Sequence, residues 1–415
     1  MKIAQTIAGI VFGLLFLVKG IIPAFQTVGM DFANYYTSSY VLIHDRENID
    51  RLYDKAWFAE RARSLGSPEG GIFQPFPPPT ALLFSPLVFL DLKTAKALWT
   101  VVNMGLLALL VIVLSRLSTI SIPEAILIVL ASGFALINNF YLGQTYLLMT
   151  VCLALSILFL NQKRDILAGI FAGVFIPIKY FPLCLMLLFL YQRRWSAVWS
   201  ALATAGAVLL VSLLWMGPGI HETFIRSILL PHLDGELTNP FSATYQSWNS
   251  LLRSLFVRDA WFNPRPFVDS SLTFSIARAI IFITPTVLFF WHMAGQRSSG
   301  HKSSLVVAAL FALVLLLAPA TATYHFLVLT IPLAMLYSDL SMGSQMTTLT
   351  LMLFLYVGVG IVPAGAMERL GLSGLWKVLE YPRLYLLSGF FVVSLLAMNT
   401  SLQQMSVSTQ EELQP

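Results

Sequence analysis

The stretch GMDFANYYTSSYVLIHDRENIDRLYD, residues 29–54, follows directly on the apolar segment Ile3–Ala24. Asp31 therefore emerges just as the chain leaves the hydrocarbon of a bilayer. A carboxylate near that depth costs up to roughly 2.5–3.5 kcal/mol and usually has a function. Residues behind it recur at three- and four-residue spacing, which predicts an amphipathic helix lying along the membrane surface: Phe32, Tyr35, Tyr36, Tyr40 and Ile43.

Asp31 falls in the first turn of this predicted helix, where exposed N–H groups stabilise a negative charge. Two interpretations follow. The carboxylate is either a chemical group of an active site or only the N-cap of the helix.

The composition is that of an integral membrane protein. Of 415 residues, 57% are hydrophobic and 11% are charged, whereas a soluble domain carries about 25% charge. The first apolar run lacks a small-residue cleavage site, which favours a retained helix over a signal peptide. Cys152 and Cys184 lie inside apolar spans and are not spaced as a disulfide or metal pair. The net charge of +5 is concentrated in short loops, which indicates topology rather than nucleic-acid binding.

Apolar runs recur from end to end and predict an all-α polytopic bundle of about twelve transmembrane helices. Several runs are shorter than the ~20 residues that a crossing needs, so polar flanks must extend them or they must stop inside the protein. The candidate spans are Ile3–Ala24, Ala97–Ser115, Pro123–Ile137, Tyr146–Leu160, Ile166–Ile178, Phe181–Leu190, Ser196–Met216, Leu272–His292, Ser304–Pro319, Phe326–Tyr337, Met346–Val362 and Leu384–Ala397.

Basic residues in short loops set the predicted orientation, with both termini in the cytoplasm. A count of twelve spans with this orientation requires Ile166–Leu190 to be a hairpin, because the basic residues on both its flanks should stay inside. The hairpin would consist of two half-length helices with Lys179 and Pro182 at its tip. One long helix would instead place a basic cluster outside. The basic loop residues are Arg116, Lys163, Arg164, Arg193, Arg194, Arg297, His301 and Lys302.

We expect a single integral membrane domain over residues 1–415, with its elaborate loops on the extracytoplasmic face. A bundle of this kind has its working site on the face that carries those loops. The predicted parts are a first extracytoplasmic loop at 26–96 with interfacial helices, a second at 217–271, polar turns at 138–144, 177–182 and 319–325, a loop at 363–383, and a cytoplasmic tail at 399–415.

The first long loop contains three successive prolines within Phe73–Pro79, which predict an extended, stiff segment. This segment could guide a lipid tail, or it could be a rigid strap over the bundle. Ala81–Leu90 then predicts a second short helix against the membrane.

In the second long loop, Gln246, Asn249 and Arg253 are spaced to share one helix face. Two amides and a guanidinium suit sugar hydroxyls and a phosphate. A solvated helix face would look similar.

Three turns supply the remaining candidates. Gln144 ends the polar insert 138–144, which could equally be an ordinary solvated loop. Lys179 could neutralise a phosphate or merely snorkel. His325 places an imidazole at the outer mouth of the tenth span, where it could equally be structural.

The motifs occur in an order that resembles glycosyltransferase family 87, the polyprenyl-phosphate-mannose-dependent mannosyltransferase-like proteins of the GT-C superfamily. The resemblance covers roughly Gly29 to Tyr337. In chain order, the motifs are Asp31-Phe32 with its tyrosines, Leu52–Asp54, the proline-rich segment, Ala81–Leu87, Ala97-Leu98-Trp99 with Asn103, Gly143-Gln144, Ala168-Gly169 with Lys179 and Pro182, Arg193-Arg194-Trp195, Gln246–Arg253 and Pro319–His325.

The resemblance implies a GT-C-like fold and an inverting sugar transfer from a lipid-phosphate donor in the outer leaflet, with an acidic residue of the first extracytoplasmic loop as base. Asp31 matches the position of that acidic residue. The resemblance also implies mannose as the transferred sugar. This chain departs from the family at Thr145-Tyr146, where an Asn is common, and at Thr323-Tyr324-His325, where Trp and paired histidines are frequent. These departures leave the sugar open.

Such a transfer needs few catalytic groups, because the phosphate leaves as a stable anion and needs no acid to protonate it. A base for the acceptor hydroxyl and cations for the departing phosphate suffice. We therefore expect Asp31 as the base. The expected donor-phosphate residues are Lys179, Arg253 and His325, and the expected sugar or acceptor residues are Gln144, Tyr35, Gln246 and Asn249.

No Asp-x-Asp pair stands near these groups, so we expect no metal and no cofactor, with the lipid-linked sugar as substrate. The expected partners are a polyprenyl-phosphate sugar, a glycan, glycolipid or protein acceptor, and membrane lipid, but no nucleic acid. The expected location is the inner or plasma membrane, with the site facing the periplasm or exterior. A lipid or solute transporter is the alternative, although no convincing internal repeat supports it. An inactive structural subunit is a third possibility.

Overall fold

The computed structural model describes residues 2–236, 239–296, 303–341 and 345–412. Over these ranges the chain is helical and contains no strand. It divides into two compact units. The first comprises Met1–Leu117, Ser121–Leu130 and Leu136–Asp234, and the second comprises Ser118–Ile120, Ala131–Ala135 and Gly235–Pro415.

Fourteen α-helices begin before Asp234, with π-helical turns at Leu17–Ile21 and Ile225–Leu229 and 3-10 turns at Arg46–Tyr53 and Ser85–Leu87. They are α1 Lys2–Phe16, α2 Ile22–Gln26, α3 Met30–His44, α4 Lys55–Ser64, α5 Thr80–Leu83, α6 Leu92–Ser118, α7 Ile122–Leu130, α8 Phe134–Leu142, α9 Tyr146–Asn161, α10 Asp165–Gly173, α11 Leu183–Tyr191, α12 Trp195–Met216, α13 Pro218–Phe224 and α14 Leu230–Leu233.

The described residues after Gly235 form seven further α-helices, with 3-10 turns at Thr323–Leu329 and Gly374–Glu380. They are α15 Trp248–Phe256, α16 Ser271–Gln296, α17 Ser303–Leu317, α18 Thr330–Leu340, α19 Met346–Ile361, α20 Ala364–Glu368 and α21 Pro382–Glu412.

Five helical segments of the described chain are long and apolar enough to cross a membrane, or six if one bent pair counts as a span. Their exposed apolar side chains, such as Trp199, Leu214 and Trp291, suit a lipid environment. The twelve-span count stays a prediction. The five segments are Gln5–His44, Leu92–Ser118, Trp195–Met216, Ser271–Ala294 and Pro382–Asn399.

The bent pair corrects one predicted span. Pro123–Ile137 is not a single helix, because α7 and α8 meet at a bend of 75°. Helix α8 continues to Leu142, so the predicted polar turn 138–144 is largely helical, and its Asn139 is buried. A hydropathy plot misses the bend because Ala131-Ser132-Gly133 is no more polar than a helix interior.

Helix α3 was expected to be amphipathic, and this expectation was wrong, whereas its position along the membrane surface stays a prediction. It is buried on nearly every side, since its small polar positions, including Asn34 and Thr37, are buried along with its aromatic ones. Its rings form the core of the first unit, where Tyr35 stacks on Phe84 at 4.9 Å and Phe84 meets Trp99 edge-on at 4.8 Å. The pattern of large residues alone could not show that small residues face packed neighbours as well.

Two predictions for the first long loop also need correction. Ala81–Leu90 is not one helix but the short α5 followed by a 3-10 turn. The proline segment is not extended throughout, because Thr80 donates its N–H to the Pro77 carbonyl in a turn that starts α5. Asp54, which ends the opening stretch, caps α4 by accepting the N–H groups of Ala56 and Trp57.

The segment predicted as a hairpin contains two separate helices, α10 and α11, of nine residues each. At 1.5 Å per residue, neither alone spans a hydrocarbon core of ~30 Å. Helix α10 packs closely on α12, because Gly169 and Gly173 leave no room for a side chain against Ala197 and Ala201.

Helix α15 begins at Trp248, after an N-cap at Ser247. Gln246 therefore precedes the helix and does not share a helix face with Asn249 and Arg253, as the spacing had predicted. At the C-terminus, helix α21 runs to Glu412, so the predicted tail from residue 399 continues a helix. The predicted basic loop residues Arg297, His301 and Lys302, and the last residues 413–415, lie outside the described residues.

Candidate active site

Asp31 is the second residue of α3, and Gly29 is the N-cap. Gly29 has φ +75°, and an added Cβ would lie 2.7 Å from the Tyr141 carbonyl oxygen, so only glycine fits this close approach. The Asp31 carboxylate is half-buried and has the Gln144 side chain as its polar neighbour. Because the N-cap of α3 is Gly29, Asp31 does not serve as that cap.

Gln144 brings a polar amide to this carboxylate. The fully buried Tyr35 hydroxyl donates a 2.7 Å hydrogen bond to Gln144 Oε1, 109 residues away in sequence. Gln144 Nε2 then lies beside Asp31, outside hydrogen-bonding geometry and without any other partner among the described residues. A buried amide nitrogen left in this state needs an acceptor, which a bound ligand can supply.

Gly143 explains how Gln144 reaches α3. It has φ +72°, and a Cβ at this position would lie 2.6 Å from Phe32 Cβ. Its carbonyl oxygen accepts a 3.0 Å hydrogen bond from the indole N–H of Trp99. These two contacts hold the end of the turn against the helix that carries Asp31.

Buried amides fix the other side of the same turn. Asn139 accepts the Gln144 N–H with its carbonyl and the Leu147 N–H with its side chain. Its amide nitrogen donates to Asn103 Oδ1 at 3.1 Å. Asn103 belongs to one of the sequence motifs, but the sequence predicted no role for either asparagine.

Lys96 is a buried cation for which the sequence predicted no role. Its ammonium donates 3.0 Å hydrogen bonds to the carbonyls of Ala24 and Phe140, near the C-terminal ends of α2 and α8. A cation is favoured at a helix C-terminus, where unpaired carbonyls carry partial negative charge. Lys96 is thus a positioning residue for the turn that carries Gln144. Its only sequence signal is a charge at the start of an apolar span.

Lys179 lies in the turn between α10 and α11, within electrostatic range of Asp31. Its ammonium nitrogen stands over three aromatic rings, 4.8 Å from the centroid of Phe76, 5.3 Å from Tyr146 and 5.8 Å from Tyr35. Removal from water lowers the pKa of Lys179 to about 8, while the charge of Asp31 acts in the opposite direction. Four predicted site residues, Asp31, Tyr35, Gln144 and Lys179, therefore come together in the first unit.

The other four predicted site residues belong to the second unit. Arg253 and His325 are half-buried, and the guanidinium of Arg253 lies 5.1 Å from the ring centroid of Phe274. Asn249 is buried, and its Oδ1 has no hydrogen-bond partner among the described residues. Gln246 is fully engaged with the backbone, because Nε2 donates to the Ala243 and Glu380 carbonyls and Oε1 accepts the Arg383 N–H.

The sequence model of glycosyltransferase family 87 matches residues 73–319, which is more than half of the chain. The chain belongs to glycosyltransferase family 87. The matched range of this family 87 protein includes Gln144, Lys179 and Arg253, whereas Asp31 and His325 lie outside it. Comparison with curated proteins finds no match, and comparison with solved structures finds none.

Family membership and the apolar helices together indicate that the protein is a membrane glycosyltransferase. This favours the enzyme over the transporter considered from the sequence.

Proposed function

We propose that this membrane glycosyltransferase takes a sugar from a polyprenyl-phosphate donor and transfers it, with inversion, to a glycolipid, glycan or protein acceptor on the extracytoplasmic side. The observation that carries the proposal is the environment of Asp31. The half-buried Asp31 carboxylate lies beside the buried amide of Gln144 and within electrostatic range of the Lys179 ammonium.

The chemistry is a single displacement. Asp31 takes the proton of the acceptor hydroxyl as its oxygen bonds to the anomeric carbon, and the bond from that carbon to the phosphate oxygen breaks. Polyprenyl phosphate leaves as an anion, so no acid is required to protonate it. General-base assistance of this kind contributes about 10²–10⁴-fold.

Lys179 is the proposed partner of the departing phosphate. A positive charge held in a water-poor site stabilises developing negative charge more strongly than one in water. The surrounding rings hold the ammonium by cation–π contacts. Gln144, oriented by Tyr35, would donate its free amide hydrogens to the sugar or the acceptor.

Arg253 and His325 stay sequence-based proposals for phosphate binding, and Asn249 stays one for sugar binding. Gln246 was assigned to the sugar, but its backbone hydrogen bonds support a positioning role for it. Mannose is the sugar that the family resemblance implies. We place the protein in the inner or plasma membrane, and we propose neither a metal nor a cofactor.

The test is Asp31→Asn, which keeps the size of the side chain and removes the base. We expect normal expression and thermal stability but a loss of transfer of about 10²-fold or more from a labelled polyprenyl-phosphate sugar. Asp50→Asn, the same change at an exposed carboxylate of the same loop, is the control and should leave transfer unchanged. Full activity of the Asp31 variant would remove the proposed base.

A further inference from the structure

Large apolar side chains are exposed on two segments of the second unit, 257–270 between α15 and α16, and 364–380 before α21. Trp261 is 90% exposed and Trp376 is 67% exposed. Neither segment belongs to a candidate span, so the lipid-facing sides of the spans do not account for these side chains. The exposed set, called the loop surface below, comprises Trp261, Phe262, Phe267, Val268, Leu370, Leu375, Trp376 and Leu379.

The first segment presents Trp261 on a fixed turn. The Asp259 carboxylate accepts the N–H groups of Trp261 and Phe262 at 2.9 and 2.7 Å, and the Asp259 backbone pairs with that of Asn263. The buried Asn263 amide donates to carbonyls at the C-terminal end of α15. The backbone therefore holds the Trp261 ring away from the core of the unit.

The second segment ends in the 3-10 turn Gly374–Glu380. Residues three apart are eclipsed in such a turn, which puts Trp376 and Leu379 on the same side. The Gly374 N–H donates a 3.2 Å hydrogen bond to the Arg265 carbonyl of the first segment. The two segments are therefore joined, and their exposed side chains belong to one region of the second unit.

The chain enters a candidate span directly after each segment. Helix α16 begins at Ser271 and α21 begins at Pro382, and both contain spans. The exposed apolar side chains continue into α16 with Leu272 and Ile276. The loop surface therefore lies close to the level at which two helices enter the bilayer, where tryptophan is enriched because its ring is apolar and its N–H is polar.

The charges of the two segments also suit a lipid surface. Their acidic side chains are engaged within the protein, since Asp259 and Asp269 accept backbone N–H groups and Glu368 accepts the hydroxyls of Ser242 and Thr244. Guanidinium groups among apolar side chains favour a layer of phosphates, the more so when the lipids are anionic. The exposed arginines are Arg258, Arg265 and Arg369.

We propose that the loop surface inserts into the headgroup layer of the bilayer, on the side at which α16 and α21 begin, with its arginines at the lipid phosphates. A glycan would stack on the aromatic rings alone, whereas Leu370, Leu375 and Leu379 suit acyl chains. The second unit is then anchored by its loops as well as by its spans. This inference goes beyond the proposed sugar transfer and holds for any donor or acceptor.

The experiment attaches the fluorophore NBD to Trp261→Cys or Trp376→Cys of the full-length protein in phosphatidylcholine nanodiscs. The native cysteines are buried and stay in place. Glu236→Cys, at an exposed position of the same unit outside the loop surface, is the control. We expect a nitroxide on the lipid headgroup to quench the two tryptophan-site labels severalfold more than the control, and aqueous iodide to quench them severalfold less. Phe267→Cys and Leu379→Cys provide the same readout where a tryptophan variant does not fold.

Three outcomes would overturn the proposal. Labels that iodide reaches as easily as the control, and that the lipid nitroxide does not quench, would place the loop surface in water. Protection from both quenchers would indicate that a second copy of the chain covers it. Protection from iodide that requires an added oligosaccharide would indicate a glycan surface.

Replacing part of the phosphatidylcholine with phosphatidylglycerol tests the arginines. We expect stronger nitroxide quenching of the Trp376→Cys label, and we expect Arg265→Gln with Arg369→Gln to abolish this increase. Arg226→Gln, the same change at an exposed arginine of the first unit, should retain it. An increase that the Arg265 and Arg369 variants retain in full would overturn the assignment of these arginines to lipid phosphates.

Discussion

At the scale of single residues, the candidate active site depends on side chains whose hydrogen bonds are left incomplete. Gln144 uses its oxygen for Tyr35, which turns its amide nitrogen toward Asp31. Burying an amide donor without a partner costs about 1–3 kcal/mol. Folding retains this cost at a place where a carboxylate and a cation also meet, which is typical of a site that a ligand completes.

Lys179 gives the reaction a predicted pH dependence. Its pKa is lowered to about 8, so the ammonium is charged below that pH and loses its charge above it. We therefore expect kcat/KM for the polyprenyl-phosphate sugar to fall as the pH rises through about 8. The measurement is a pH profile of transfer between pH 6 and 10 at low donor concentration.

Lys179→Arg is the matched variant, because a guanidinium stays charged over this whole range. Its profile should lack the fall near pH 8, whatever its absolute rate. Identical profile shapes for the two proteins would show that Lys179 is not the titrating group.

At the scale of secondary structure, Lys96 joins the ends of two helices. It donates to the carbonyl oxygens of Ala24 and Phe140. We expect Lys96→Met to leave both carbonyls buried without this donor, and to destabilise the protein by about 1.5–3 kcal/mol. Transfer should also decrease, because the turn that carries Gln144 would lose its support.

The control for this prediction is Lys93→Met, the same change at an exposed lysine one turn earlier on α6. Thermal melting in detergent and transfer assays on both variants provide the test. Equal melting temperatures for the two proteins would show that Lys96 does not hold the helix ends.

Helices α10 and α12 provide a second test at this scale. Gly169 and Gly173 are four residues apart on one face of α10, in the small-residue pattern that lets membrane helices approach closely. A Cβ at Gly169 would meet the Ser200 hydroxyl and the Ala197 carbonyl, and one at Gly173 would lie 2.9 Å from Thr204 Cβ. We expect either glycine, changed to alanine, to destabilise the protein by about 1–3 kcal/mol through overpacking.

Gly206→Ala is the matched control, since Gly206 lies in α12 and has no atom within 4 Å of an added Cβ. This change should be neutral or stabilising by up to about 1 kcal/mol, because alanine favours a helix interior. Melting temperatures that rank Gly206→Ala below the two α10 variants would contradict the packing.

At the scale of the whole molecule, orientation in the membrane is the property that charge pattern predicts. The basic loops after α9 and α11 should both face the cytoplasm, since α10 and α11 are too short to cross the bilayer singly. Cysteines introduced at exposed Gln162 and Ser196 should then be protected from an impermeant maleimide in intact cells. Cysteines at exposed Glu69 and Glu222 should be labelled.

The native Cys152 and Cys184 are buried and should give little background. Labelling after membrane permeabilisation is the control for reactivity at each position. If either Gln162→Cys or Ser196→Cys were labelled in intact cells, Ile166–Leu190 would not be a hairpin that returns to the cytoplasm.

The positions of most helices could be predicted from the sequence. Trp195–Met216, Tyr146–Asn161 and Met346–Ile361 each lie within one or two residues of a predicted apolar run. This succeeds because the apolar length of a membrane helix is set by the bilayer, and every backbone group inside it must be bonded within the segment. The small α5 and the broken α7–α8 pair were missed, because packing rather than composition determines where such segments turn.

The sequence by itself determined that this is a helical membrane protein, and it placed Asp31 at the start of a helix that follows the first apolar segment. Only the tertiary structure decided that Gln144 meets Tyr35 and Asp31, and that Lys96 and Arg383 are buried instead of anchored at an interface. The local sequence around a charged residue at the start of an apolar span is the same whether that residue is buried or anchored at the membrane interface. Its burial depends on residues far along the chain, through contacts that neither periodicity nor hydropathy records.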